Sequence, residues 1–64
     1  MNPSEFKQRR ENLGISQSKL ARLLEIDSMT VSRWERGVHP IPAHIRLALE
    51  ALEMQLAKRR EEAA

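Results

Sequence analysis

Cysteine is missing altogether from the 64 residues. Neither a disulfide framework nor a thiolate zinc site can therefore supplement the core of so short a chain, which leaves oligomerisation as the usual staple. Glycine occurs twice and proline three times, too seldom for a linker, collagen or mucin composition. With 41% apolar and 31% charged residues, the chain reads as one folded, helix-rich domain over residues 1–64. No apolar run approaches the roughly 20 residues of a membrane span, and the opening MNPSEFKQRR lacks the apolar stretch of a signal peptide. The expectation is a cytoplasmic protein with no membrane partner. The alternation of a β-strand, internal repeats and low-complexity tracts are absent as well.

Chemistry-bearing constellations are equally scarce. His39 and His44, the only histidines, flank a proline loop and have no further ligands to complete a metal site, so no metal or other cofactor is expected. No glycine-rich phosphate loop and no nucleophile–base arrangement is readable, and so small a domain has little volume for a substrate pocket. Catalytic residues are not expected, and an enzyme is a distant reading.

What the chain does have is a slight basic balance, a formal net charge of +2. Residues 1–41 hold seven Lys/Arg against five Asp/Glu, whereas residues 42–64 hold four of each. The basic excess in the first two-thirds points to an anionic partner there, although ordinary soluble proteins show as much.

Helix signals follow one another closely. Asn2-Pro3-Ser4-Glu5 supplies a cap, a proline at the first helical position and the glutamate of a capping box, so a first helix is predicted over about Pro3–Asn12. Gly14 can take the positive φ that ends it. Ser16 caps a second helix over about Gln17–Leu24, and Asp27 a third over about Ser28–Arg36, which Gly37 ends. Pro40 and Pro42 stop that helix from continuing and suit Pro42 as the opening of a fourth. Nothing interrupts the chain from Ala43 to about Glu61, so a C-terminal helix covers about residues 42–62. Helices as short as the second and third need packing to persist. The candidate core is Phe6, Leu13, Ile15, Leu20, Ala21, Leu24, Ile26, Val31, Trp34, Ile45 and Leu49.

The stretch Gln17 to Arg36, Q-S-K-L-A-R-L-L-E-I-D-S-M-T-V-S-R-W-E-R, followed by Gly37, resembles the helix-turn-helix of the Xre and Cro-like family, which includes lambdoid phage repressors. The likeness rests on Leu20, on the small Ala21 where two helices touch, and on Ile26, Val31 and Trp34. Ser16-Gln17 and Trp34-Glu35-Arg36-Gly37 at the ends also fit, and the resemblance covers about residues 4–50. It implies an all-α, lambda-repressor-like fold of four short-to-medium helices with a C-terminal helical extension, in which the motif's second helix enters the DNA major groove. A bacterial or phage origin is implied too. One position departs from the pattern: the turn residue, often glycine in the family, is Glu25.

A helical wheel places Ser28, Met29, Ser32, Arg33 and Arg36 on one face of the third helix and turns Val31 and Trp34 to the core. Given the resemblance, Ser28, Met29, Ser32 and Arg33 are the candidate base readers: arginine can fork onto guanine O6 and N7, and methionine can touch a thymine methyl, unless Met29 packs instead. Ser16 and Gln17 sit at the start of the second helix, where free N–H groups favour phosphate, although Ser16 is also a cap. Lys19, Arg36 and His39 are further phosphate candidates by position. The resemblance also implies a structural ion pair between Arg10 and Glu35.

In the last helix Ile45, Leu49, Leu52 and Leu56 recur at steps of four and three, the seam of a coiled-coil-like contact. Ile45 and Leu49 can serve the core of the monomer. Leu52, Leu56 and Met54 are expected to lie beyond the reach of helices 1 to 3, so Leu49, Leu52 and Leu56 are assigned to a dimer interface. The resulting expectation is a homodimeric, sequence-specific regulator of transcription that binds a palindromic double-stranded operator, represses by occluding a promoter and controls its own synthesis. The alternative is an antitoxin-type module that engages a protein partner through the C-terminal helix.

Overall fold

The computed structural model describes residues 1–63, with side chains through residue 59. Four helices follow in order: α1 (Pro3–Asn12), α2 (Gln17–Leu24), α3 (Ser28–Arg36) and α4 (His44–Ala63). The described residues contain no strand. The first three helices have the predicted bounds because each carries its own punctuation. Asn2 Oδ1 accepts the Glu5 N–H at 2.7 Å, Ser16 Oγ that of Lys19 at 3.0 Å and Asp27 Oδ1 that of Met29 at 2.7 Å, each satisfying a donor the helix cannot. α4 begins two residues later than Pro42. Its lead-in is a tight turn in which Ile45 N–H donates to Pro42 O at 3.1 Å and Arg46 N–H to Ala43 O at 3.3 Å.

The core is built from every helix: Phe6 of α1, Leu20 and Ala21 of α2, Val31 and Trp34 of α3, Ile45 and Leu49 of α4. Ala21 is small enough for α2 and α3 to approach closely, and these two helices pack together while α1 also packs against α3. Phe6 meets Trp34 edge to face, with ring centroids 5.7 Å apart and planes at 80°. Burial of each large side chain here stabilises the fold by about 1.5–3 kcal/mol, and the edge-to-face geometry adds roughly 0.5–1.5 kcal/mol. Ile15, Leu24, Ile26, Ile41 and Leu52 pack around this centre, whereas Leu13, expected in the core, is half-buried and is not among them.

The single chain itself covers much of the stripe expected to form a dimer interface, Leu49, Leu52 and Leu56. Leu49 is 0% exposed at the centre of the monomer's own core, and Leu52 packs against that core. Leu56 is half-buried. The repeat of four and three residues does mark one face of α4, and Ile45, Leu49 and Leu52 on it turn inward against the chain's own core. What holds the outer half of α4 down is an ion pair the sequence did not signal: Arg9 Nη2 donates to Glu53 Oε1 at 2.6 Å and Arg9 Nε to Glu53 Oε2 at 3.0 Å. Of the three side chains expected beyond the core's reach, only Met54 is fully exposed, at 74%.

Candidate nucleic-acid interface

The link between α2 and α3 is three residues long, and its geometry is set by Glu25, the one non-glycine residue with positive φ (58°) among the described residues. Ile26 N–H closes the end of α2 on Ala21 O at 2.9 Å, the wide loop of a Schellman motif. Gly37 (φ 75°) ends α3 the same way, with Val38 N–H on Arg33 O at 2.9 Å. Glycine takes this conformation freely, whereas at Glu25 it costs roughly 1 kcal/mol. The buried Leu20, Ala21 and Val31 and the adjacent Ile26 hold the turn in spite of that cost.

With Val31 and Trp34 locked inward, the opposite side of α3 is committed to solvent. Ser28 and Met29 are exposed, Met29 by 55%, and Ser32 and Arg33 are half-buried on its shoulders. Arg36 is exposed at the end of the helix and folds back so that its Nε donates to Ser32 Oγ at 3.2 Å and to Ser32 O at 3.4 Å. All five of these residues therefore share one surface of one helix. Lys19 and Ser16 are exposed at the start of α2, and His39 is exposed in the loop after α3.

Gln17 differs from the simple expectation of a phosphate-facing side chain. Its Nε2 donates to Glu35 Oε1 at 3.1 Å, inside the molecule. What α2 offers outward at this position is backbone: as the first residues of the helix, Gln17 and Ser18 have N–H groups without intrahelical acceptors, at the positive end of the helix dipole. Such an end attracts anions.

Glu35 is the hub beneath this surface. Arg10 grips it at two points, Nε to Oε2 at 2.6 Å and Nη2 to Oε1 at 3.1 Å, and the remaining Arg10 Nη1 donates to Ile15 O at 2.9 Å. The side chains are only 12% and 3% exposed. Burial by itself would push the Glu35 carboxyl upward, but the hydrogen bonds from Arg10 and Gln17 outweigh it and hold the carboxyl below the ordinary glutamate range. The hydrogen bond to Glu35 likewise strengthens the hold of Arg10 on its proton, against desolvation. Arg10 ties α1 and the α1–α2 loop to α3, and Gln17 adds the start of α2. The orientation of α3 is therefore fixed from three directions by one carboxylate.

Two amphipathic helices joined by a tight turn, the second presenting a polar face backed by a rigid core, define a helix-turn-helix of the DNA-binding class. The chain matches the helix-turn-helix family model over residues 6–59 and belongs to that family, the Xre- and lambda-repressor-like DNA-binding regulators. The match runs past residue 50, where the resemblance in sequence was expected to fade, and takes in the α4 segment clamped by Glu53. No curated protein and no solved structure matches the chain. Among the described residues no helix is long and apolar enough to cross a membrane.

Proposed function

We propose that this chain is a cytoplasmic transcriptional regulator that binds an inverted-repeat operator as a homodimer and represses by covering it. The observation that carries the reading is the outward face of α3, on which Met29 and Arg33 stand beside Ser28 and Ser32 while Val31 and Trp34 are immobilised behind. Ser28, Met29, Ser32 and Arg33 reach base edges. Lys19, Arg36, His39, Ser16 and the backbone N–H of Gln17 contact phosphates. Because one short helix spans only a few base pairs, two copies related by a two-fold axis read two half-sites about one helical turn, roughly 34 Å, apart.

Selection of bound sequences from random duplexes tests this, and an inverted repeat occupied by two chains is the expected result. Arg33→Ala then loses about 1–3 kcal/mol of operator affinity and relaxes preference at one symmetric position of each half-site. Lys19→Ala weakens all sequences alike and flattens the salt dependence. Uniform loss across a panel of single-base variants on Arg33→Ala would move that arginine to the phosphate contacts. The antitoxin-type reading draws on the exposed Leu47 and Met54 of α4, and an operator that one chain occupies alone would favour it.

A further inference from the structure

The inward turn of Ile45, Leu49 and Leu52 leaves the opposite face of α4 unexplained. Leu47 and Met54 are 60% and 74% exposed, and Ala51 between them is exposed as well. At 100° per residue these three lie within an arc of about 60°, turned away from Ile45, Leu49, Leu52 and Leu56. On one flank of the stripe stand Arg46 and Glu50, both exposed and neither in an ion pair among the described residues. Arginine preceding glutamate by four positions is the weaker orientation of an intrahelical pair. Arg9, whose field reaches Glu50, is committed to Glu53.

We propose that this outer face of α4 is where two copies of the chain meet, antiparallel, with Arg46 of each copy paired to Glu50 of the other. The assignment rests on the dimeric reading above and names its surface. A two-fold axis passing beside residue 48 brings residue 46 of one helix level with residue 50 of the other, and does so twice. The same axis sets the two Leu47 side chains about 3 Å apart in height at the centre. It also lays each Met54 over the other copy's Pro42 and Ala43, which are exposed. Apolar centre and charged flank are thus self-complementary under one rotation, as an isologous interface requires.

With two large apolar side chains per copy, the face is smaller than the roughly 800 Å² per partner of a stable interface. Association in solution is therefore weak, with a dissociation constant on the order of 10 µM or above. It tightens when two copies occupy one duplex and the effective concentration rises.

Sedimentation of the whole chain up to about 1 mM, with circular dichroism to verify helicity, tests the assignment without any operator. Wild type is expected to dimerise, and Leu47→Ser combined with Met54→Ser to weaken the dimer at least about tenfold at unchanged helicity. Arg46→Glu alone and Glu50→Arg alone each weaken self-association, yet an equimolar mixture of the two forms a heterodimer close to wild-type strength, because each copy then supplies the charge the other needs. A mixture no tighter than its components overturns the proposal, as does a dimer indifferent to Leu47 and Met54; either result leaves the operator reading standing. A wild-type chain that stays monomeric throughout also overturns it and gives the face to a different protein. The operator reading fails separately, on duplex selection.

Discussion

Arg9 and Arg10 are neighbours on α1, and each grips a glutamate with two nitrogens, at 2.6 and 3.0 Å for Arg9 and at 2.6 and 3.1 Å for Arg10. Their surroundings are what differ. The Arg10–Glu35 pair is nearly closed to solvent, has a third polar partner in Gln17 and spends its spare guanidinium nitrogen on Ile15 O. Arg9–Glu53 is open at 19% and 34% and fastens one helix to another, its spare guanidinium nitrogen meeting the Met1 sulfur at 4.0 Å. Identical chemistry thus does two jobs. One pair sets the orientation of α3, and the other ties α4 to α1.

The largest expected effect comes from stranding the buried carboxylate. Arg10→Met destabilises the fold by about 3–5 kcal/mol, because Glu35 is left without its counter-charge in a site that water barely reaches. Adding Glu35→Leu recovers much of the loss, since the cost lies in the orphaned charge rather than in the absence of an attraction. Thermal melts in which the two single losses add would mean that the pair is not coupled.

Acid separates the two pairs further. Both carboxyls are held low in the folded chain, Glu53 chiefly by its hydrogen bond from Arg9 and Glu35 by Arg10 and Gln17 working against burial. Groups with a lowered folded pKa contribute stability above the ordinary glutamate range and lose it as the pH falls through their folded values. In Arg10→Met the sign reverses at Glu35, because burial then acts with less opposition and raises the carboxyl. The gap between wild type and Arg10→Met should shrink from pH 7 toward pH 4, and melts across that range measure it. A gap that widens on acidification would contradict the role given to Glu35.

The smallest effect belongs to the open pair. Arg9→Met costs about 0.2–1 kcal/mol, less at high salt, and the loss is local. Amide exchange speeds up around Leu52 and Glu53 while α2 and α3 keep their protection. Global loosening on Arg9→Met would erase the distinction drawn between the two arginines.

The legible part of this molecule is the part written in short-range signals. Asn2, Ser16 and Asp27 cap where a side-chain oxygen next to an apolar run must cap, and Gly37 ends α3 because nothing else takes its backbone conformation so cheaply. The pairing of Arg10 with Glu35 was implied only by family resemblance, for 25 positions separate the two and no local rule connects them. Arg9 and Glu53, 44 positions apart, carried no signal of either kind. Ile41 and Leu52 were likewise missing from the expected core, as their burial depends on how a loop and a distant helix lie against it.

By itself, then, the sequence determined the four helices, the turn at Glu25 and the polar side of α3, because capping, backbone conformation and helical periodicity act within a few residues. Periodicity also stated correctly that Ile45, Leu49, Leu52 and Leu56 share a face. It was silent on what covers that face, since an apolar stripe is buried equally well by the chain's own core or by a second copy. For Ile45, Leu49 and Leu52 the tertiary structure decides: they join Phe6 and Trp34 in one core, with the grip of Arg9 on Glu53 alongside, and Leu47 and Met54 are left facing water.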